Sequence, residues 1–154
     1  MTRTSTSTSL DRGLFLVRLA LGVVFVMHGW QKLAVFGHDG VTGMLGSLGI
    51  PFPGVNAVLI TAAELGGGLA LLLGAGTRIA AAVVAFSMFV AIATVHWKNG
   101  FFLPTGFEFA LTLLLTNVAV IFTGAGAYSI DALVAGRRGT HVKTSPAPSF
   151  KAAA

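Results

Sequence analysis

His28 and Lys32 stand four residues apart, Glu64 lies alone inside an apolar stretch, and His96 precedes Glu108 by 12 residues. Imidazole, ammonium and carboxylate groups hold, release and relay protons, or grip anionic and hydrogen-bonding ligands. All five side chains interrupt or edge apolar runs long enough to cross a bilayer. A charge at the bilayer centre costs about 2.5–3.5 kcal/mol even on lenient scales, so such residues face a bundle interior, find a partner or do chemistry.

The elements that must position them follow from composition and patterning. The chain has 154 residues, 55% hydrophobic and 10% charged, against about 25% charged in an average soluble domain. That composition is that of a membrane protein, and the length suits one compact domain. The net charge is +5, but the basic residues sit mostly at the two termini. This is a membrane-topology signal rather than a nucleic-acid patch, so no nucleic-acid partner is expected. The chain has no cysteine, which excludes disulfides, thiol redox chemistry, iron–sulfur clusters and thiolate metal sites on it.

Four segments are long and apolar enough to span, near Leu14–Leu33, Val55–Leu73, Ile79–Trp97 and Phe107–Phe122. The first lacks an A-x-A cleavage pattern and reads as a retained span. The expected fold is all-α, an integral membrane four-helix bundle over residues 13–130. A polar N-terminus (1–12) precedes it and a basic, disordered tail (131–154) follows. Phe36–Pro53 reads as a Gly-rich loop with a short helix around Val41–Leu48, Gly74–Thr77 as a tight turn, and Lys98–Gly106 as a third loop. Arg3, Arg12, Arg78, Arg137, Arg138, Lys143 and Lys151 flank one side, while Lys32 and Lys98 flank the other. The expectation is a multi-pass cell-membrane protein with both termini cytoplasmic and loops 1 and 3 outside.

Helical steps of three and four put Arg18, Gly22, Phe25, His28 or Gly29, and Lys32 on one face of the first span. Glu64 falls about 14 Å into the second, near the midplane. His28, Lys32, His96 and Glu108 then share the outer leaflet, with Glu64 beneath them. Bland roles compete. Lys32 and Lys98 fit snorkelling, Arg18 and Arg78 fit topology determinants, and His96 beside Trp97 fits an interfacial belt. Glu64 resists a bland reading most. Each hairpin carries a basic pair at its outer turn and a Glu on the returning helix, an echo that hints at a parallel repeat. Gly66, Gly67 and Gly68 serve close helix packing first and leave room beside Glu64 second. Phe86, Phe89, Phe101, Phe102, Phe107 and Phe109 suit an aromatic pocket or a lipid face equally.

Several short runs resemble the DoxX family of small four-span membrane proteins. They are Val17-Arg18-Leu19-Ala20-Leu21-Gly22, His28-Gly29-Trp30-Gln31-Lys32-Leu33, and Glu64-Leu65-Gly66-Gly67-Gly68 running on to Thr77-Arg78, with His96 and Glu108 completing the series. The resemblance covers about Leu14 to Arg137. It implies the four-span fold and a choice of roles. One branch forms the membrane subunit of a thiosulfate:quinone oxidoreductase. Others resemble membrane partners of superoxide dismutase and sulfurtransferase, or accessory proteins of metal-linked or catechol-related functions.

Two functions of different kinds follow. In the first, the chain is a subunit of a quinone-linked oxidoreductase or redox-stress complex. His28 or His96 bonds and protonates a membrane quinone, Glu64 or Glu108 relays protons, and Lys32 and Arg18 hold an anionic substrate or pair the carboxylates. With no cysteine and no flavin motif, electrons come from a soluble redox partner protein or a small reductant. In the second, the chain is a membrane scaffold in which Arg18 or Lys32 pairs with Glu64 to fix helix register, and the basic tail docks soluble partners or anionic lipid. A third reading makes His28, His96, Glu64 and Glu108 ligands of a metal, or the two histidines axial ligands of haem. Further assembly into a homo-oligomer suits so small a bundle, though no single motif specifies it.

Overall fold

The computed structural model describes residues 5–140; the polar start before Ser5 and the tail from residue 141 lie outside the described residues. It is helical, with no strand among the described residues. Helix α1 (Ser5–Trp30) runs on through a π-helical segment, Gln31–Phe36, into α2 (Gly37–Ser47). Helix α3 (Pro53–Leu73) follows. Helix α4 (Thr77–Ala91) is extended by a second π-helical segment, Ile92–His96, and a short 3₁₀ turn, Trp97–Asn99. Helices α5 (Glu108–Thr123) and α6 (Ile130–Thr140) complete the chain.

Local chemistry sets the helix ends. Pro53 opens α3 with a backbone angle already helical and no amide to waste. Gly74, at φ 65°, closes it, and the Ala75 amide bonds Ala70 O at 3.0 Å. A side chain at Gly74 would also strike the Arg18 guanidinium, so two demands meet at that glycine. Pro53–Leu73 and Thr77–Asn99 are each long and apolar enough to cross a membrane, and Glu108–Thr123 is a shorter apolar helix. Ile79, Phe86, Phe89 and Phe122 point outward and are more than half exposed. Apolar residues displayed that widely suit lipid, not water.

The four long helices pack as α1–α3, α3–α4, α4–α5 and α1–α5, around a core of Leu21, Phe25, Leu71, Ala81, Val84, Leu113 and Val120. Helix α2 lies on α3 through Val41, Leu45 and Ala57. It occupies the place where a short helix was expected in the first loop.

The opposite end is tied together by polar groups. Helix α4 has no local side-chain cap. Asp131 on α6 supplies one, accepting the Gly76 and Thr77 amides at 2.7 and 2.9 Å, while its own amide bonds Gly74 O at 2.9 Å. Asp11 on α1 accepts the Ala127 amide at 2.9 Å. Asp131 thus belongs to a docked helix, which corrects the expectation that the disordered tail begins there. Two unpaired amides at a helix start recruit a carboxylate even from 55 residues away.

Burial pushes the Asp131 carboxyl up, but the two amide bonds and the nearby Arg18 guanidinium outweigh it and hold it below the usual aspartate range. A depressed carboxyl stabilises the fold above its ordinary value, near 4, and that contribution vanishes as pH falls through the lower folded value. Asp131→Ala should therefore lower stability by about 1 kcal/mol at neutral pH. The gap between variant and wild-type melting temperatures in detergent should close on acidification towards pH 3. A gap that stays constant across that range would remove the charge-based account of the cap.

Candidate functional site: an ion-paired cavity

Glycines bring α1 and α3 together. A side-chain carbon added at Gly29 would lie 2.6 Å from Leu65 N, and one at Gly68 would lie 2.7 Å from Val26 N. With the backbones this close, Lys32 meets Glu64: Nζ donates to Oε2 at 2.6 Å. The Glu64 side chain is buried, at 3% exposure, and that of Lys32 is 11% exposed. Glu64 stands 11 residues into the 21-residue α3, about 16 Å along it. The ammonium satisfies a carboxylate that hydrocarbon cannot, and the pairing is what the energetics of buried charge require.

Beside the pair is a cavity of about 280 Å³, lined by His28 and Phe25 from α1, Ile60 and Glu64 from α3, Met88 and His96 from the α4 rod, and Phe109 and Leu113 from α5. Met44 and Leu45 of α2 and Leu48 just past its end, with Leu103, Pro104 and Gly106 of the third loop, close its loop end. Lys32 and His96 sit on the two π-helical segments. π-Turns widen a helix locally and recur at functional sites; here they re-aim one side chain from each helix toward the same space.

His96 Nδ1 donates to Thr105 O at 2.9 Å, which leaves Nε2 as the acceptor of the neutral ring. His28 makes no hydrogen bond among the described residues, and Glu64 makes none beyond that to Lys32. Two imidazoles, a carboxylate oxygen and the remaining ammonium protons are thus available to a ligand between apolar walls.

Not every candidate residue arrives there. Glu108 does not line the cavity; its Oε1 accepts the Leu103 amide at 2.9 Å and holds the third loop. Arg18, about 20 Å from Lys32 along the helix, is 1% exposed at the opposite end. Its guanidinium donates to Leu71 O at 3.1 Å and to Tyr128 O. Of the two cations weighed as partners for Glu64, Lys32 takes the place and Arg18 does not. Of the four residues expected at one mouth with Glu64 beneath, His28, Lys32 and His96 line the cavity, whereas the Leu103 amide claims Glu108; Arg18, weighed as a substrate-holding or pairing cation, serves backbone carbonyls at the other end. The echo between hairpins also stops short of pairing, since His96 and Glu108 both bind loop backbone. Among the described residues no three His, Cys, Asp or Glu side chains converge as metal ligands.

Among the suspected aromatic liners, Phe109 faces the cavity. Phe107 instead stacks on Trp97, with centroids 5.3 Å apart. His38, not singled out in the sequence, borders with Lys32 a second hollow of about 310 Å³. The roof residues of α2 and the third loop were also missed, since apolar loop residues carry no sequence signal of what they cover.

Fold and site together define a helical membrane protein with a mostly apolar cavity beside a buried carboxylate and its ammonium partner. Residues 13–97 match the DoxX family, and the chain belongs to it. It is 34% identical over 126 residues to "Putative oxidoreductase CatD" of Bacillus subtilis (strain 168), covering 82% of this chain and 90% of that protein. It is 30% identical over 128 residues to "Inner membrane protein YqjF" of Escherichia coli (strain K12), covering 80% and 93%. An uncharacterized protein of Haemophilus influenzae is 33% identical over 119 residues, covering 75% and 85%. No solved structure matches the chain at a significant level.

Proposed function

We propose that this chain is the membrane subunit of a quinone-linked oxidoreductase or redox-stress complex, and that the cavity takes the head of a membrane quinone. The observation carrying this reading is the convergence of the Lys32–Glu64 pair, His28 and His96 in one mostly apolar cavity. A quinone head has flat apolar faces and two carbonyl oxygens, so it asks for apolar walls and a few placed donors. Bound there, it would supply an acceptor for two electrons and two protons. Lys32 and His28 donate to the ring oxygens, His96 Nε2 accepts from a hydroxyl of the reduced ring, and Glu64 holds a proton beside them. Electrons arrive from a soluble redox partner protein or a small reductant, because the chain has no cysteine. The word oxidoreductase in the name of the Bacillus subtilis relative points the same way. The surplus of Lys and Arg at the end bearing the termini puts both in the cytoplasm, and the cavity towards the outer leaflet of a multi-pass protein.

The ion pair itself favours one second reading, a scaffold in which Lys32–Glu64 fixes helix register. The two readings divide on a charge swap, Lys32→Glu with Glu64→Lys, which a scaffold tolerates and a ligand site does not.

Quenching of the fluorescence of Trp30 and Trp97 by a benzoquinone bearing a short alkyl tail tests the proposal in mild detergent. Wild type should bind it saturably, and His28→Ala and Glu64→Gln should each weaken binding by about tenfold or more. Absence of saturable binding to folded wild type would sink the quinone reading for this chain.

A further inference from the structure

Resting on that reading, we infer that the groove between α3 and α4 seats the apolar tail of the quinone, which enters the cavity sideways from the lipid. This groove, of about 450 Å³, lies along Leu59, Ala63, Ala82, Val83 and Phe86. Leu59, Val83 and Phe86 are exposed on the outer surface of the bundle. The groove is continuous with the cavity: Leu45, Ile50, Ile60 and Val90 line both. Ile60 from α3 and Val90 from α4 therefore form the sill between a compartment holding the ionisable groups and one that is apolar.

The polar donors that line the groove are spent on backbone carbonyls. Asn56 Nδ2 donates to Pro51 O at 2.8 Å, and the Ser87 hydroxyl donates to Val83 O at 3.3 Å. What remains is a hydrocarbon surface, widened where Ala63 and Ala82 leave the facing helices without bulk. A mostly apolar chamber that holds Lys32, Glu64, His28 and His96 and opens over an apolar sill into a lipid-side groove without ionisable groups suits an amphiphile, head inside and tail outside. A tail-less polar molecule would leave the groove unused. A plain acyl chain would leave Lys32, Glu64, His28 and His96 without a ligand to bond.

Ala63 and Ala82 line the groove and not the cavity, so filling them tests the tail alone. Ala63→Phe and, on the other wall, Ala82→Leu are compared with wild type in lipid nanodiscs, each checked first for helical content and a single size. The probes are a benzoquinone without a tail and the same ring with a long isoprenoid tail. The reading is the ratio of variant to wild-type dissociation constants for each probe, which cancels partitioning of the tail into lipid. The ratio should rise at least about tenfold for the tailed ring and stay near one for the tail-less ring. Equal ratios for the two probes, whether both near one or both raised, would overturn the groove as the tail site while leaving the cavity as head site intact. Near-unit ratios for both are also the result expected if a phospholipid chain occupies the groove. Failure of wild type to bind either ring would overturn the quinone reading and this inference with it.

Discussion

Lys32→Met should destabilise the protein by about 3–5 kcal/mol, and the double variant Lys32→Met with Glu64→Leu should recover most of that loss. The reason is an asymmetry in the energetics of buried charge. Removing the ammonium leaves the Glu64 carboxyl, 3% exposed, without its 2.6 Å partner. It must then stay charged in hydrocarbon or take a proton, and either is costly. Removing both charges leaves side chains that the apolar surroundings accept. Function should separate from stability in the same series: on the proposed function, the double variant folds yet binds quinone more weakly, because the ammonium donor and the carboxylate at the cavity are gone. Thermal unfolding followed by circular dichroism in detergent gives the stabilities. If Lys32→Met and the double variant are both as stable as wild type, the pair contributes nothing net. The unfolded chain in a membrane also finding partners for its charges would produce that result.

The run Gly66-Gly67-Gly68 should split into three outcomes under substitution by valine or alanine. Gly68→Val is expected to be the most damaging, by about 1–3 kcal/mol or more, because the new side chain meets backbone, Val26 N at 2.7 Å and Gly22 O at 3.0 Å. Backbone cannot rotate aside, so α1 and α3 must separate. Separation at that seam also pulls Lys32 from Glu64, so the variant should lose ligand binding with its stability. Gly67→Ala meets the Val84 side chain at 2.6 Å, which can yield in part. Gly66→Ala meets nothing within 4 Å and should be neutral or slightly stabilising, as alanine is the better helix former by about 1 kcal/mol. Melting temperatures of the three variants check the order. A Gly68→Val protein as stable as wild type would mean that the helices do not cross where they are drawn together here.

Much of this was legible in the chain. Hydrocarbon leaves a spanning segment few choices, so the helical class, the four apolar stretches and the short helix between the first two followed from composition and runs. The turn at Gly74 followed from backbone chemistry carried by a single residue, whereas Pro53, read as the end of the first loop, opens α3. Glu64 stood out because a lone carboxylate in an apolar run needs a partner, and Lys32 is that partner.

Tertiary structure decided which partners the ionisable residues take. Arg18, Lys32 and Glu108 look alike in sequence, as charges near span ends. Only packing distinguishes a guanidinium that serves the carbonyls of Leu71 and Tyr128 from an ammonium that serves a carboxylate. Periodicity assigns a residue to a helix face, but the π-helical segments at Gln31–Phe36 and Ile92–His96 break the 3.6-residue count where Lys32 and His96 are aimed. The cap on α4 from Asp131 spans 55 residues and has no local signature. Membrane insertion depends on the sum of side-chain transfer energies, which are properties of the sequence alone. The cavity and its groove depend on distances between residues far apart in the chain, which the close approach of α1 to α3 through Gly29 and Gly68 sets.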